Sequence, residues 1–124
     1  MKREYENFGQ YLFMMREKKD ITLREMARLL GVSAPFLSDV EKNRCAPLTA
    51  ERLDKVASIF NLSATEKAEM YDLVGRQRDI VAPDLPEYIK RREYVSAALR
   101  TARDLDAGEE EWQRFVDELK KRKE

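Results

Sequence analysis

The chain has 124 residues, enough for one small domain with an appendage, and its 43% hydrophobic and 39% charged side chains read as a helical protein with polar outer faces. Lysine plus arginine number 24 and aspartate plus glutamate 24, so no overall basic excess advertises nucleic-acid binding. Histidine is absent and Cys45 is the only cysteine; this excludes internal disulfides, the usual zinc ligand sets and imidazole acid–base chemistry, and no enzyme activity, metal or cofactor is expected.

No secretory signal or long apolar run is visible, so the expected compartment is the cytoplasm, without a membrane partner. Phe8, Tyr11, Leu12 and Met15 form the stripe of a first helix ending near Lys18 or Lys19. Phe13 and Met14 lie off that stripe. They form either an exposed apolar patch for a C-terminal helix or partner, or a wider buried face, and the sequence leaves both open.

Thr22 with Glu25 reads as a capping box opening a second helix, Leu23 to Leu30. Gly31 supplies a turn, Ser33 an N-cap oxygen, and Pro35 is tolerated in the first turn of a third helix from Ala34 to about Lys42. Asn43 to Pro47 reads as a loop in which Cys45 is incidental. Thr49 then caps a fourth helix carrying Leu53, Val56, Ala57 and Phe60. Ser63 with Glu66 repeats the box before Met70, Leu73 and Val74, and this fifth helix is expected to fray beyond Gly75.

Pro83 and Pro86 make residues 80–86 an expected linker between a domain of residues 1–79 and an extension of residues 87–124. In the extension, Tyr88 and Ile89 belong to one helical stripe and Val95, Ala98, Leu99 and Ala102 to a second, with a break near Arg91 to Glu93. After Gly108 a third stripe is built on Trp112, Phe115, Val116 and Leu119. Glu109, Glu110 and Glu111 suit the first turn of that helix, and Lys120 to Lys123 its end, by dipole logic. Such short helices cannot bury their own stripes. Dimerisation or binding of a protein partner is therefore expected through Leu99, Trp112, Phe115, Val116 and Leu119, with Phe13 and Met14 as further candidates. The predicted fold class is all-α: five helices with a helix-turn-helix, and a C-terminal helical extension.

Two short helices joined by Gly31-Val32-Ser33, with Ala27 small at their crossing and Leu37 and Val40 apolar before Glu41, place this chain beside a known family. From Phe8 to about Val74 it resembles the phage repressor and Cro type, or XRE family, of helix-turn-helix transcriptional regulators. The resemblance implies that Arg16 late in helix one pairs structurally with Glu41 late in helix three. It also implies that Ala34, Pro35, Ser38 and Asp39 face base edges, where relatives often carry glutamines.

Ala34 can touch a thymine methyl, Ser38 can bond either kind of base, and Asp39 can accept from cytosine N4. Phosphate contacts are expected from Arg24, Arg28, Ser33, Lys42, Asn43 and Arg44, and from amides near Thr49. Between Arg16 and Arg44, seven basic side chains stand against five acidic ones, a net charge of +2, which is a weak electrostatic footprint. The expected function is a sequence-specific regulator, acting as a repressor and as a homodimer on an inverted repeat in double-stranded DNA. The alternative is an antitoxin-like or adaptor-like interaction module whose tail, centred on Trp112, binds a protein partner.

Overall fold

The computed structural model describes residues 5–123, and among these every regular element is a helix. Eight are formed: α1 Phe8–Lys18, α2 Leu23–Leu30, α3 Ala34–Glu41, α4 Ala50–Ile59, α5 Ala64–Arg78, α6 Pro86–Lys90, α7 Glu93–Asp104 and α8 Glu109–Lys121. The chain divides into two compact units, Met1–Pro86 and Glu87–Glu124.

In the first unit each of the first five helices starts on a side chain that takes an otherwise orphan amide: Asn7, Thr22, Ser33, Thr49 and Ser63. Caps of this kind fix where each short helix begins. Packing then supplies most of the stability, because helices of 8 to 15 residues are marginal alone. Phe8, Leu12, Met26, Leu30, Leu37, Leu53, Val56, Phe60, Met70 and Val74 are all buried in one core, each large side chain contributing about 1.5–3 kcal/mol before entropy is subtracted. The Tyr71 hydroxyl donates to the Asp54 carboxylate and so ties α5 to α4. Burial, and then that bond, hold the phenol above its ordinary pKa.

Two local expectations are corrected. At α2 only half of the capping box forms: Thr22 Oγ1 accepts from the Glu25 amide at 3.1 Å, but the Glu25 carboxylate turns forward to Arg28 Nε at 3.2 Å. A basic residue one turn on competes with the backbone for that carboxylate. At α5 the helix does not fray at Gly75 but continues to Arg78, with Asp79 (φ 56°) turning the chain. Gly75 is glycine for a tertiary reason. A Cβ there would lie 3.0 Å from Ala82 Cα, from Ala82 N and from Ile80 O, so the glycine lets residues 80–82 fold back and bury Ala82 against the helix. The Ile80 amide donates to Gly75 O at 2.9 Å and closes that return.

In the second unit, α6 and α7 are separated at Arg91 and Arg92, where the Arg92 guanidinium lies 4.0 Å from the Tyr88 ring centroid and donates to Tyr88 O at 2.8 Å. The Gly108 amide donates to Glu111 at 3.0 Å at the start of α8, and this bond is the leading cause of a Glu111 pKa below the usual carboxylate value. No residue of α6, α7 or α8 is buried. Within the described residues no helix is long and apolar enough to cross a membrane.

Candidate nucleic-acid interface

The turn between α2 and α3 is built by three local devices. Gly31 takes φ 72° and ψ 33°, a left-handed conformation, and a Cβ there would meet nothing within 4 Å, so the backbone angle and not space selects glycine. The amides of Gly31 and Val32 return to Arg28 O and Ala27 O at 3.2 and 3.0 Å, closing α2. Ser33 Oγ then accepts from the Phe36 amide at 3.1 Å and opens α3, with Pro35 in its first turn.

Helix α3 is held by one face only. Leu37 and Val40 are buried on it, with Phe36 half-buried beside them. By helical periodicity Ala34, Ser38, Lys42, Pro35 and Asp39 occupy the opposite arc, none of them buried. Of the four residues assigned from the resemblance to base edges, Pro35, Ser38 and Asp39 therefore share one outer face, and Ala34 at its border also packs partly against the core.

Arg16 and Glu41 fix the far end of α3. The guanidinium forks onto the carboxylate, Nε to Oε2 at 2.7 Å and Nη2 to Oε1 at 3.0 Å, while Nη1 donates to Ile21 O at 2.9 Å. Only 9% and 7% of the two side chains are exposed. The bond to Glu41, ahead of the opposing effect of burial, raises the Arg16 pKa, so the guanidinium stays charged. One arginine thus joins α1, the segment leading into α2, and the end of α3.

Among the expected phosphate contacts, Arg24, Arg28, Lys42, Asn43 and Arg44 are exposed, and so are Ser33 and Thr49 at the starts of α3 and α4. Several are already engaged. Arg28 is paired with Glu25, and Arg44 Nη1 lies 3.5 Å from Asp39 Oδ1. Asn43 adopts φ 63° and its Oδ1 accepts from Gln77 Nε2 at 2.9 Å, while Gln77 Oε1 accepts from the Phe8 amide at 2.7 Å. Asn43 is therefore first a turn residue tied to α5 and to the start of α1. Cys45 is half-buried and packs against the core. Phe13 is 43% exposed, with the Arg16 guanidinium 5.4 Å from its ring centroid, and Met14 is half-buried.

Three residues escaped the sequence reading. Arg52, half-buried, stacks 5.9 Å from the Phe36 ring centroid beside Ser33, at the start of α3. Its place three residues after the Thr49 cap was the available signal. Gly9 lies buried in α1 against the last turn of α3; a glycine inside an apolar helical stripe was itself a clue, since it weakens a helix unless something needs the room. Gln77 gave no signal, because its partners are 34 and 69 residues away.

Comparison with known proteins adds the following. The helix-turn-helix family model matches residues 12–67, a stretch that holds Arg16, Ala27, Gly31, Leu37, Val40 and Glu41. Similar solved structures include SinR, described as the master regulator for biofilm formation, in complex with DNA, at 28% identity over 49% of this chain and 97% of that one, with a TM-score of 0.43. They include the clp gene regulator ClgR from C. glutamicum, at 29% identity over 58% of this chain and 88% of that one, TM-score 0.45. A SinR/SinI complex aligns at 23% identity over 94% of this chain and 97% of that one, TM-score 0.44. No curated protein matches the chain.

Proposed function

We infer, from a chain whose residues 12–67 belong to the helix-turn-helix family, a DNA-binding transcriptional regulator that acts as a repressor and as a twofold dimer on an inverted repeat. The observation that carries this reading is the free outer arc of α3. Pro35, Ser38 and Asp39 lie together on it, with Ala34 at its border, while Leu37 and Val40 hold the opposite side down. An α-helix presented in this way fits the major groove.

Ala34 would meet a thymine methyl, Ser38 either base type, and Asp39 a cytosine N4 amine. Arg24, Arg28, Ser33, Lys42 and the amides after Thr49 would hold phosphates, with Arg52 added beside Ser33. Few bidentate readers are present, so DNA shape and half-site spacing carry part of the specificity. Selection of the full chain on random duplexes should enrich an inverted repeat with half-sites about one helical turn apart. No enrichment over bulk DNA would refute the regulator reading.

Dimerisation is supported by the second unit. Leu99, Trp112, Phe115, Val116 and Leu119 are 38–52% exposed, and a groove of about 370 Å³ lies between α7 and α8, lined by Tyr94, Val95, Ala98, Leu99, Trp112 and Phe115. A second copy of this unit is the occupant we assign, because a twofold site requires two chains. Light scattering should find a dimer for the full chain and a monomer for a chain ending at Pro86, which keeps Ala82 on Gly75. The shortened chain should bind the selected repeat roughly a hundredfold more weakly. A full chain that is monomeric alone would overturn the dimer and favour the antitoxin-like or adaptor-like reading, in which the same groove takes another protein.

A further inference from the structure

Asp39 and Arg44 are five residues apart at the foot of α3, and their side chains meet, Arg44 Nη1 to Oδ1 at 3.5 Å. The backbone brings them together, since the Arg44 amide donates to Asp39 O at 2.9 Å and Asn43, at φ 63°, turns the chain back. Both remain open to solvent, the side chains 49% and 65% exposed. Asp39 lies on the outer arc of α3, where a carboxylate facing duplex DNA is otherwise a liability. The whole motif carries only +2 from Arg16 to Arg44, so one uncompensated charge in either direction is a large share of its footprint.

We propose that Asp39 and Arg44 form one electrically neutral reading unit, in which Arg44 is the counter-ion that lets an acidic reader approach DNA and not an independent phosphate clamp. The unit rests on the reading of α3 as the DNA-facing helix. A carboxylate offers about four acceptor positions, so Asp39 can accept from a cytosine amine while it keeps its guanidinium. Over guanine or thymine it finds no donor, and over adenine only the N6 amine beside the N7 acceptor, yet the neutral pair avoids the repulsion a bare carboxylate would suffer. Arg44 therefore acts as the counter-ion of Asp39, and the carboxylate makes the base contact. The pair sets base preference and adds little to bulk affinity.

The test is a double-variant cycle in the full chain, with binding to the selected duplex and to mixed-sequence duplex followed across a salt series. Asp39→Ala should bind mixed-sequence DNA about fivefold more tightly, with the slope of log K against log salt steeper by about one, because it releases a cation. Arg44→Ala should weaken binding to every sequence about fivefold and keep the base preference. The double variant should return to within about twofold of the parent on mixed-sequence DNA and show no preference at that base. Both side chains are exposed and outside the core, so thermal melting should be unchanged in all three. If the double variant binds mixed-sequence DNA as weakly as Arg44→Ala does, Arg44 is an independent clamp, and if neither single variant changes binding to mixed-sequence DNA, the unit does not exist. A parent chain that binds no duplex at all would remove the DNA-facing reading, and the unit with it.

Discussion

Gly9→Ala is expected to lower the stability of the first unit by about 2 kcal/mol, and Gly9→Val to lower it further, although alanine in a helix interior normally gains about 1 kcal/mol over glycine. A Cβ on Gly9 would lie 2.6 Å from Val40 O, 2.6 Å from Glu41 O and 3.0 Å from the Glu41 carbonyl carbon. These are backbone atoms of the last turn of α3, so no side chain can swing aside. Either α1 retreats from α3, loosening Phe8 and Leu12 in the core, or the end of α3 moves and strains the Arg16–Glu41 fork. Against a usual total of about 5–15 kcal/mol, a loss of this size is readily measured. Urea denaturation should give a lower midpoint with an unchanged slope. At temperatures where the variant remains folded, binding to the selected duplex should still weaken, because the displaced element is the one we assign to the DNA interface. A Gly9→Ala chain as stable as the parent, or more stable, would show that α1 does not need this approach.

Gly9 also marks the boundary between what the sequence reveals and what only packing does. Thr22, Gly31, Ser33 and Ser63 were legible because caps and turns are decided within three or four residues. The stripes built on Leu12, Leu37 and Val56 were legible because helical periodicity is local. Gly75 was misread for the opposite reason: read along the chain it weakens a helix, whereas its role is to admit Ala82 from a later segment. Gln77 joins the Phe8 amide to Asn43 across separations that no local pattern reports. The Asp39–Arg44 contact was within local reach, but two opposite charges five residues apart meet only because the helix ends between them. In the second unit the stripes of α7 and α8 were plain in the sequence, but an apolar stripe specifies a face and not its partner.

The larger expected loss comes from Arg16. Arg16→Met should destabilise the first unit by about 3–5 kcal/mol, because it leaves the Glu41 carboxylate buried without a counter-charge and also deprives Ile21 O of its donor. Little of this loss should vary with alkali. The folded-state pKa of Arg16 is raised above its ordinary value by the bond to Glu41, so the pair's stabilisation is fully present below the unfolded arginine pKa. It fades only as pH climbs through the raised value, well above neutrality. Removing both charges is a different perturbation from removing one. In Arg16→Met with Glu41→Leu nothing charged stays buried, and chemical denaturation should show most of the lost stability restored. Duplex binding then separates two roles for the pair. If the fork only neutralises buried charge, the double variant binds the selected repeat as the parent does. The geometry argues against that, because the two parallel bonds at 2.7 and 3.0 Å tie the end of α3 to α1, and packed apolar groups are less directional. The double variant should therefore fold nearly as stably as the parent and yet bind the repeat about tenfold more weakly. Full recovery of binding would show that Leu37 and Val40 orient the helix unaided.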